Sequence, residues 1–313
     1  MPKILITPRS VTGTEPFLAP LRAAGYELLM GPAGRQPTGE ELVELLPGCV
    51  GWVAGVEKIP GEVLRAARDL KVISRNGTGV DNIDVEAAER LGIRICRAEG
   101  ANAQGVAELT IGLIFALLRQ IPWCDHRLKK RQWERLKGTE ADGKTLGVIG
   151  CGRIGARVAR MSLSLGMSVC AYDPCKNAAL DGLAAFRWAE LDELFRHADI
   201  LTLHCPPQPN GPLVNAARLT GIKPGAYLVN TARADLIDES VVFDALESGR
   251  LAGYATDVFP TEPPTDYRLI EHPRVIATPH AGAYTAESIN RATSAAVENL
   301  LQALSAGARS QSC

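Results

Sequence analysis

The sequence carries almost no excess charge: 34 Lys and Arg against 35 Asp and Glu leave a formal net charge of −1. That balance supplies no global field to hold nucleic acid or an anionic membrane, so neither is an expected partner, although a local basic pocket is compatible with it. Long apolar runs are also missing. The longest, residues 109–118, is broken by Thr110 and falls short of the ~18 to 20 residues of a bilayer-spanning helix. The opening Met1-Pro2-Lys3-Ile4-Leu5-Ile6-Thr7 has neither a long apolar stretch nor a small-residue cleavage site, and reads as a first strand rather than a signal peptide. Eight cysteines are present, yet they form no Cys-x-x-Cys pair and no zinc-finger spacing with histidine. No metal site is expected, and the cysteines read as reduced, mostly buried thiols of a cytoplasmic protein. No repeat, low-complexity tract or Gly/Ser linker marks a boundary.

What is present is an ordinary globular composition, 46% hydrophobic and 22% charged over 313 residues. At ~150 residues per domain that length predicts about two domains. Short runs rich in branched residues, at 3–7, 50–53, 72–74 and 93–96, alternate with helical patterns in the rhythm of parallel α/β units. A long helical stretch follows over 103–136, interrupted by Pro122, with Val106, Leu109, Leu113 and Leu117 on one face; such a helix can bridge two domains. The alternation restarts at 146–149 and continues through 167–172, 200–204, 226–230, 253–258 and 275–277, the pattern of a doubly wound sheet. A last helix is expected over 285–306, with 306–313 as a loose tail.

Gly150-Cys151-Gly152-Arg153-Ile154-Gly155 stands between a strand and a helix. The first glycine permits a tight turn, the second lets the backbone approach a pyrophosphate, and the third lets helix and strand pack closely. The next strand ends in Asp173, 23 residues after Gly150, where a carboxylate accepts the hydroxyls of an adenosine ribose and repels a 2′-phosphate. The pattern points to NAD rather than NADP. Tyr172 and Lys176 match the spacing of a short-chain dehydrogenase pair, but Pro174 denies them a shared helical face.

Three ionisable residues follow at strand ends: Arg233 in Asn230-Thr231-Ala232-Arg233, Glu262 after Phe259-Pro260-Thr261, and His280 in Thr278-Pro279-His280-Ala281-Gly282. Hydride transfer from a secondary alcohol needs a base for the hydroxyl proton and a cation for a carboxylate and a developing oxyanion, roles that histidine and arginine fill. A carboxylate bonded to the imidazole raises its pKa. Alone, each residue also has a plain structural use: a surface ion pair, a loop charge, a satisfied turn histidine.

Together with Asn76-Gly77-Thr78-Gly79-Val80-Asp81-Asn82-Ile83-Asp84 and Val106-Ala107-Glu108-Leu109-Thr110, these motifs make the chain resemble the D-isomer-specific 2-hydroxyacid dehydrogenases, in particular their phosphoglycerate dehydrogenase-like branch. The resemblance implies an α/β protein of two doubly wound parallel-sheet, Rossmann-like domains. A discontinuous substrate-binding domain (1–100 and 286–313) would surround an inserted dinucleotide-binding domain (101–285). It further implies an active site in the cleft and a homodimer formed through the nucleotide-binding domain. Arg233 would bind the substrate carboxylate and polarise the keto oxygen, Glu262 would orient His280, and His280 would be the acid/base. NAD would meet Thr78, Gly150, Gly152, Arg153, Ile154, Gly155, Asp173, Cys205, Thr231, Ala232, Asp257, His280 and Gly282. Asn76 and Gly77, with Arg233, would meet the substrate, a small 2-hydroxy or 2-keto acid. A second reading on the same fold is an NAD(H)-sensing binding protein like the C-terminal-binding corepressors, against which the lack of a long disordered tail or basic region speaks.

Two features depart from that pattern. Ala54 and Gly55 are uncharged in the loop where phosphoglycerate enzymes usually offer a cation. With the last residue at Cys313, feedback control through a C-terminal serine-binding domain is not expected.

Overall fold

The computed structural model describes the backbone of residues 1–310 and the side chains of residues 1–306. It divides into two compact units, one of residues 1–102 with 285–313 and one of residues 103–284.

The first unit holds five strands: β1 (Lys3–Ile6), β2 (Glu27–Met30), β3 (Cys49–Ala54), β4 (Val72–Arg75) and β5 (Arg94–Arg97). All pair in parallel, in the order β2-β1-β3-β4-β5. Because side chains alternate across a strand, Leu5, Trp52 and Ile73 face one apolar layer while Ile4, Ile6, Val53 and Val72 face the other. The second layer is closed by the helix Ala286–Ser310 through Ala296, Val297, Leu300 and Leu304. A Cβ on Gly51 would come within 3.1 Å of Leu300, so that glycine sets how closely helix and sheet approach. Arg291 Nε and Asn299 Nδ2 donate to the carbonyls of Ala101 and Arg97, both at 3.0 Å, and tie the distant C-terminal helix to the N-terminal segment.

The second unit holds seven strands: β6 (Thr145–Ile149), β7 (Ser168–Tyr172), β8 (Phe186–Trp188), β9 (Ile200–Leu203), β10 (Ala226–Asn230), β11 (Leu251–Thr256) and β12 (Val275–Ala277). The order is β12-β11-β10-β9-β6-β7-β8, again all parallel. Its chain order reverses between β6 and β9, which opens a crevice at the carboxyl ends of those strands. The fold is therefore α/β with two doubly wound sheets.

Several expectations are corrected. The helical stretch after residue 103 is two helices, Ala103–Leu118 and Ile121–Lys129, bent by 63°. The break lies upstream of Pro122, at Gln120 with φ +55°, because the proline ring clashes with the carbonyl four residues earlier; that carbonyl, of Leu118, accepts instead from Thr139 N at 2.8 Å. Helix ends at Lys129 and not at 136, with Arg131 at φ +61° just beyond. The Ala103–Leu118 helix belongs to the second unit, which begins at Ala103. The final helix runs to Ser310, so 306–310 is not loose; residues 311–313 lie outside the described residues. Strands β2 and β8 were not anticipated, both being short edge strands without strong apolar alternation. Of the seven described cysteines, all unpaired, Cys49, Cys151 and Cys170 are buried, Cys175 is exposed and the others are intermediate. No single described helix is long and apolar enough to cross a membrane.

Candidate functional site

The glycine loop leaves β6 with Gly150 at φ +92°, a backbone region that side chains rarely enter. A Cβ there would lie 2.6 Å from the carbonyl of His204, and one on Gly155 would lie 1.9 Å from Gly150 O. Both glycines are therefore demanded by packing. Gly152 differs, since a Cβ on it would meet nothing within 4 Å. The open face of the turn lies there, ahead of the ten-residue helix Gly155–Ser164, whose first N–H groups attract anionic oxygen. Gly150, Gly152 and Gly155 thus form a cradle that fits the pyrophosphate of a dinucleotide, with Arg153 and Ile154 in the same turn.

Asp173, one residue past β7, closes the loop from the side. Its Oδ2 accepts from Cys151 N at 2.6 Å and its Oδ1 from Cys175 N at 2.8 Å. A carboxylate has about four lone-pair sites, so both oxygens keep room for ribose hydroxyls. Burial pushes the Cys151 thiol up to about 12 and the Cys205 thiol to about 11, with the charge of Asp173 adding in each case. Neither is a nucleophile at neutral pH. His204, beside Cys205 at the end of β9, was not anticipated as a site residue. Burial drives its pKa down to about 3, so the ring is neutral, with Nε2 2.9 Å from Thr202 Oγ1. Only the packing of β9 against the glycine turn reveals it.

The second cluster stands at the ends of β10, β11 and β12. Asp257, 2% exposed, accepts from Thr278 Oγ1 at 2.6 Å, Ala281 N at 2.7 Å and Gly282 N at 2.8 Å. These bonds clamp the turn that carries His280, whose φ of +49° is uncommon outside glycine. His280 Nδ1 lies 2.9 and 2.8 Å from the two oxygens of Glu262. A carboxylate only accepts, so Nδ1 carries the donated proton and Nε2 is the nitrogen left for exchange. The Glu262 hydrogen bond holds the imidazole above its ordinary pKa against burial, helped by the charges of Glu262 and Asp257 and opposed by Arg233. Burial pushes the Glu262 carboxyl up, but the bond and charge of His280, a bond from Phe259 N and the charge of Arg233 hold it below its usual value.

Arg233 thus acts electrostatically on both members of the pair, and the fold brings Arg233, Glu262 and His280 together from 48 residues of sequence. Its guanidinium donates to Ala232 O at 2.7 Å, while Asn230 braces the turn from both sides, accepting from Ala232 N at 3.1 Å and donating to Arg233 O at 2.8 Å. Thr231 is nearly buried, its hydroxyl 2.9 Å from that of Thr110, a partner for which no role was read from sequence.

Asn76, Gly77 and Thr78 lie in the other unit, after β4. The N–H groups of Asn76 and Gly77 already donate to Ala54 O and Arg75 O, both at 2.8 Å. Thr78 Oγ1 accepts from Gly100 N at 3.4 Å.

Comparison with known proteins gives a consistent picture. Residues 111–282 match the family described as D-isomer specific 2-hydroxyacid dehydrogenase, NAD binding domain. Human D-3-phosphoglycerate dehydrogenase is 42% identical over 257 residues, 80% of this chain and 48% of that protein, so the chain spans about half the length of such relatives. Hydroxypyruvate reductase of Thermotoga maritima is 38% identical over 297 residues, 91% of this chain and 96% of that protein. Among solved structures, NAD+-bound 3-phosphoglycerate dehydrogenase of Entamoeba histolytica superposes with a TM-score of 0.82 at 28% identity, covering 97% of this chain and 96% of that one.

Proposed function

Because the chain belongs to the D-isomer-specific 2-hydroxyacid dehydrogenase family, we propose that it catalyses the reversible, NAD-linked interconversion of a D-2-hydroxy acid and its 2-keto acid. The observation that carries this reading is His280 Nδ1 held between both oxygens of Glu262, with the charge of Arg233 felt by each. Bound NAD(H) supplies or accepts the hydride at C2 of the substrate. In reduction His280 gives its Nε2 proton to the substrate oxygen, and in oxidation it takes that proton back. Glu262 fixes the ring orientation and stabilises the imidazolium. Arg233 binds the substrate carboxylate and offsets charge that develops on the C2 oxygen. Asp257 keeps the His280 turn in place.

In the same reading residues 103–284 bind the dinucleotide, with Asp173 favouring NAD, and residues 1–102 with 285–313 bind the substrate. Arg75, which packs against Gly77, backs the Asn76–Gly77 loop that meets the substrate carboxylate. A homodimer through the nucleotide-binding unit is supported by exposed apolar side chains on one segment, Ile121 at 54%, Leu128 at 57% and Trp133 at 86%. The seven described cysteines, all unpaired, agree with a cytoplasmic setting.

The test is NADH consumption with a panel of small 2-keto acids. Turnover at ordinary enzyme rates supports the dehydrogenase; tight NADH binding with no turnover of any member overturns it in favour of a sensing role.

A further inference from the structure

The five-stranded sheet has its own reversal of strand order, between β1 and β3. In open parallel sheets ligands settle at such a switch point, outside the carboxyl ends of the strands. The residues there are Thr7, just past β1, and the loop 55–58 past β3. Glu57 in that loop is 1% exposed. Its Oε1 accepts from Gly55 N at 2.9 Å and from the Thr7 hydroxyl, whose oxygen accepts in turn from Trp52 Nε1 at 2.8 Å. Its Oε2 has no hydrogen-bond partner among the described residues. A buried carboxylate oxygen without a donor is rare in a folded protein and signals a missing partner. A Cβ on residue 55 would lie 2.6 Å from this oxygen, so Gly55 is required by the position of the carboxylate. One strand away, Asn76 Oδ1 is also without a partner. Arg75 donates to Asn76 O at 2.5 Å.

Resting on the dehydrogenase reading above, we propose that Glu57 is a specificity-determining residue that accepts a hydrogen bond from a neutral donor on C3 of the substrate and turns away a phosphorylated C3. Adjacent strands are about 4.8 Å apart, so a carboxylate held by the loop after β4 places the C3 substituent of a three-carbon acid over the loop after β3. A hydroxyl there satisfies Oε2. A phosphate dianion meets a like charge there, and the cation of that loop, Lys58, is exposed to solvent. Val56 and Lys58 on either side of Glu57 are exposed, so the loop that carries the oxygen lies at the surface of the sheet's carboxyl edge.

Steady-state kcat/KM with NADH for glyoxylate, pyruvate, hydroxypyruvate and 3-phosphohydroxypyruvate tests the assignment. In the parent, hydroxypyruvate should exceed both pyruvate and 3-phosphohydroxypyruvate by roughly tenfold or more. In Glu57→Gln the ratio of the phosphorylated to the unphosphorylated hydroxypyruvate should rise by roughly tenfold, a change that a merely structural role would not bring. The parent series stands even if the variant fails to fold. Equal turnover of hydroxypyruvate and pyruvate, a parent that favours the phosphorylated acid, or an unmoved ratio in the variant overturns the role of Glu57 alone. No turnover of any of the four overturns the dehydrogenase reading and this one with it.

Discussion

His280 is held in a left-handed backbone conformation that costs a non-glycine residue on the order of 1–3 kcal/mol, and the three bonds to Asp257 keep it there. In this geometry the ring is presented by its turn and oriented by Glu262. Replacing His280 by Ala should lower kcat by ~10²- to 10⁴-fold while NADH affinity, read by fluorescence titration, changes little. Glu262→Gln acts on the pH profile. In the proposed reaction reduction uses protonated His280, whose pKa the Glu262 bond raises, so activity should be present at low pH and fade as pH rises through that value. Loss of the carboxylate lowers the pKa, and the basic limb of keto-acid reduction should move to lower pH. An unmoved limb removes Glu262 from this role.

At the scale of the element, the turn from β6 into the Gly155–Ser164 helix uses glycine for two different reasons. Gly155→Ala drives a methyl into Gly150 O and should destabilise the fold by about 1–3 kcal/mol in chemical denaturation. Gly152→Ala meets no protein atom and should leave stability within about 0.5 kcal/mol, yet weaken NADH binding because the added methyl occupies the approach of the pyrophosphate. Equal NADH affinity in that variant would show that the cradle is not used as described. The end of β7 is where the proposed choice between NADH and NADPH is made. Asp173 should give the parent a preference for NADH over NADPH of roughly 100-fold in kcat/KM, and Asp173→Asn should narrow it, since the amide no longer repels a 2′-phosphate.

For the whole molecule, the segment from Ile121 to Trp133 combines exposed apolar residues with the bend at Gln120, and this surface belongs to the unit of residues 103–284. Charges placed in its centre, as in Ile121→Asp with Leu128→Asp, should convert a dimer to a monomer in light scattering. A parent that is monomeric at micromolar concentration would sink the dimer proposal.

Parallel α/β organisation, the glycine loop with Asp173, and Arg233, Glu262 and His280 as candidates were legible in the sequence, because each rests on local chemistry: apolar runs of strand length, turn glycines, and ionisable side chains in the segments that follow strands. Edge strands β2 and β8, the break at Gln120 and the early end of the helix at Lys129 were not, since edges lack a two-sided apolar pattern and the break depends on where the Leu118 carbonyl finds a donor. Only the tertiary structure decided which polar atoms meet. It paired Glu57 with Thr7 across 50 residues, put His204 behind the glycine turn, and set Asp257 under His280. Those contacts join residues remote in the chain, and they exist only because parallel strands carry their carboxyl ends to one edge of a sheet.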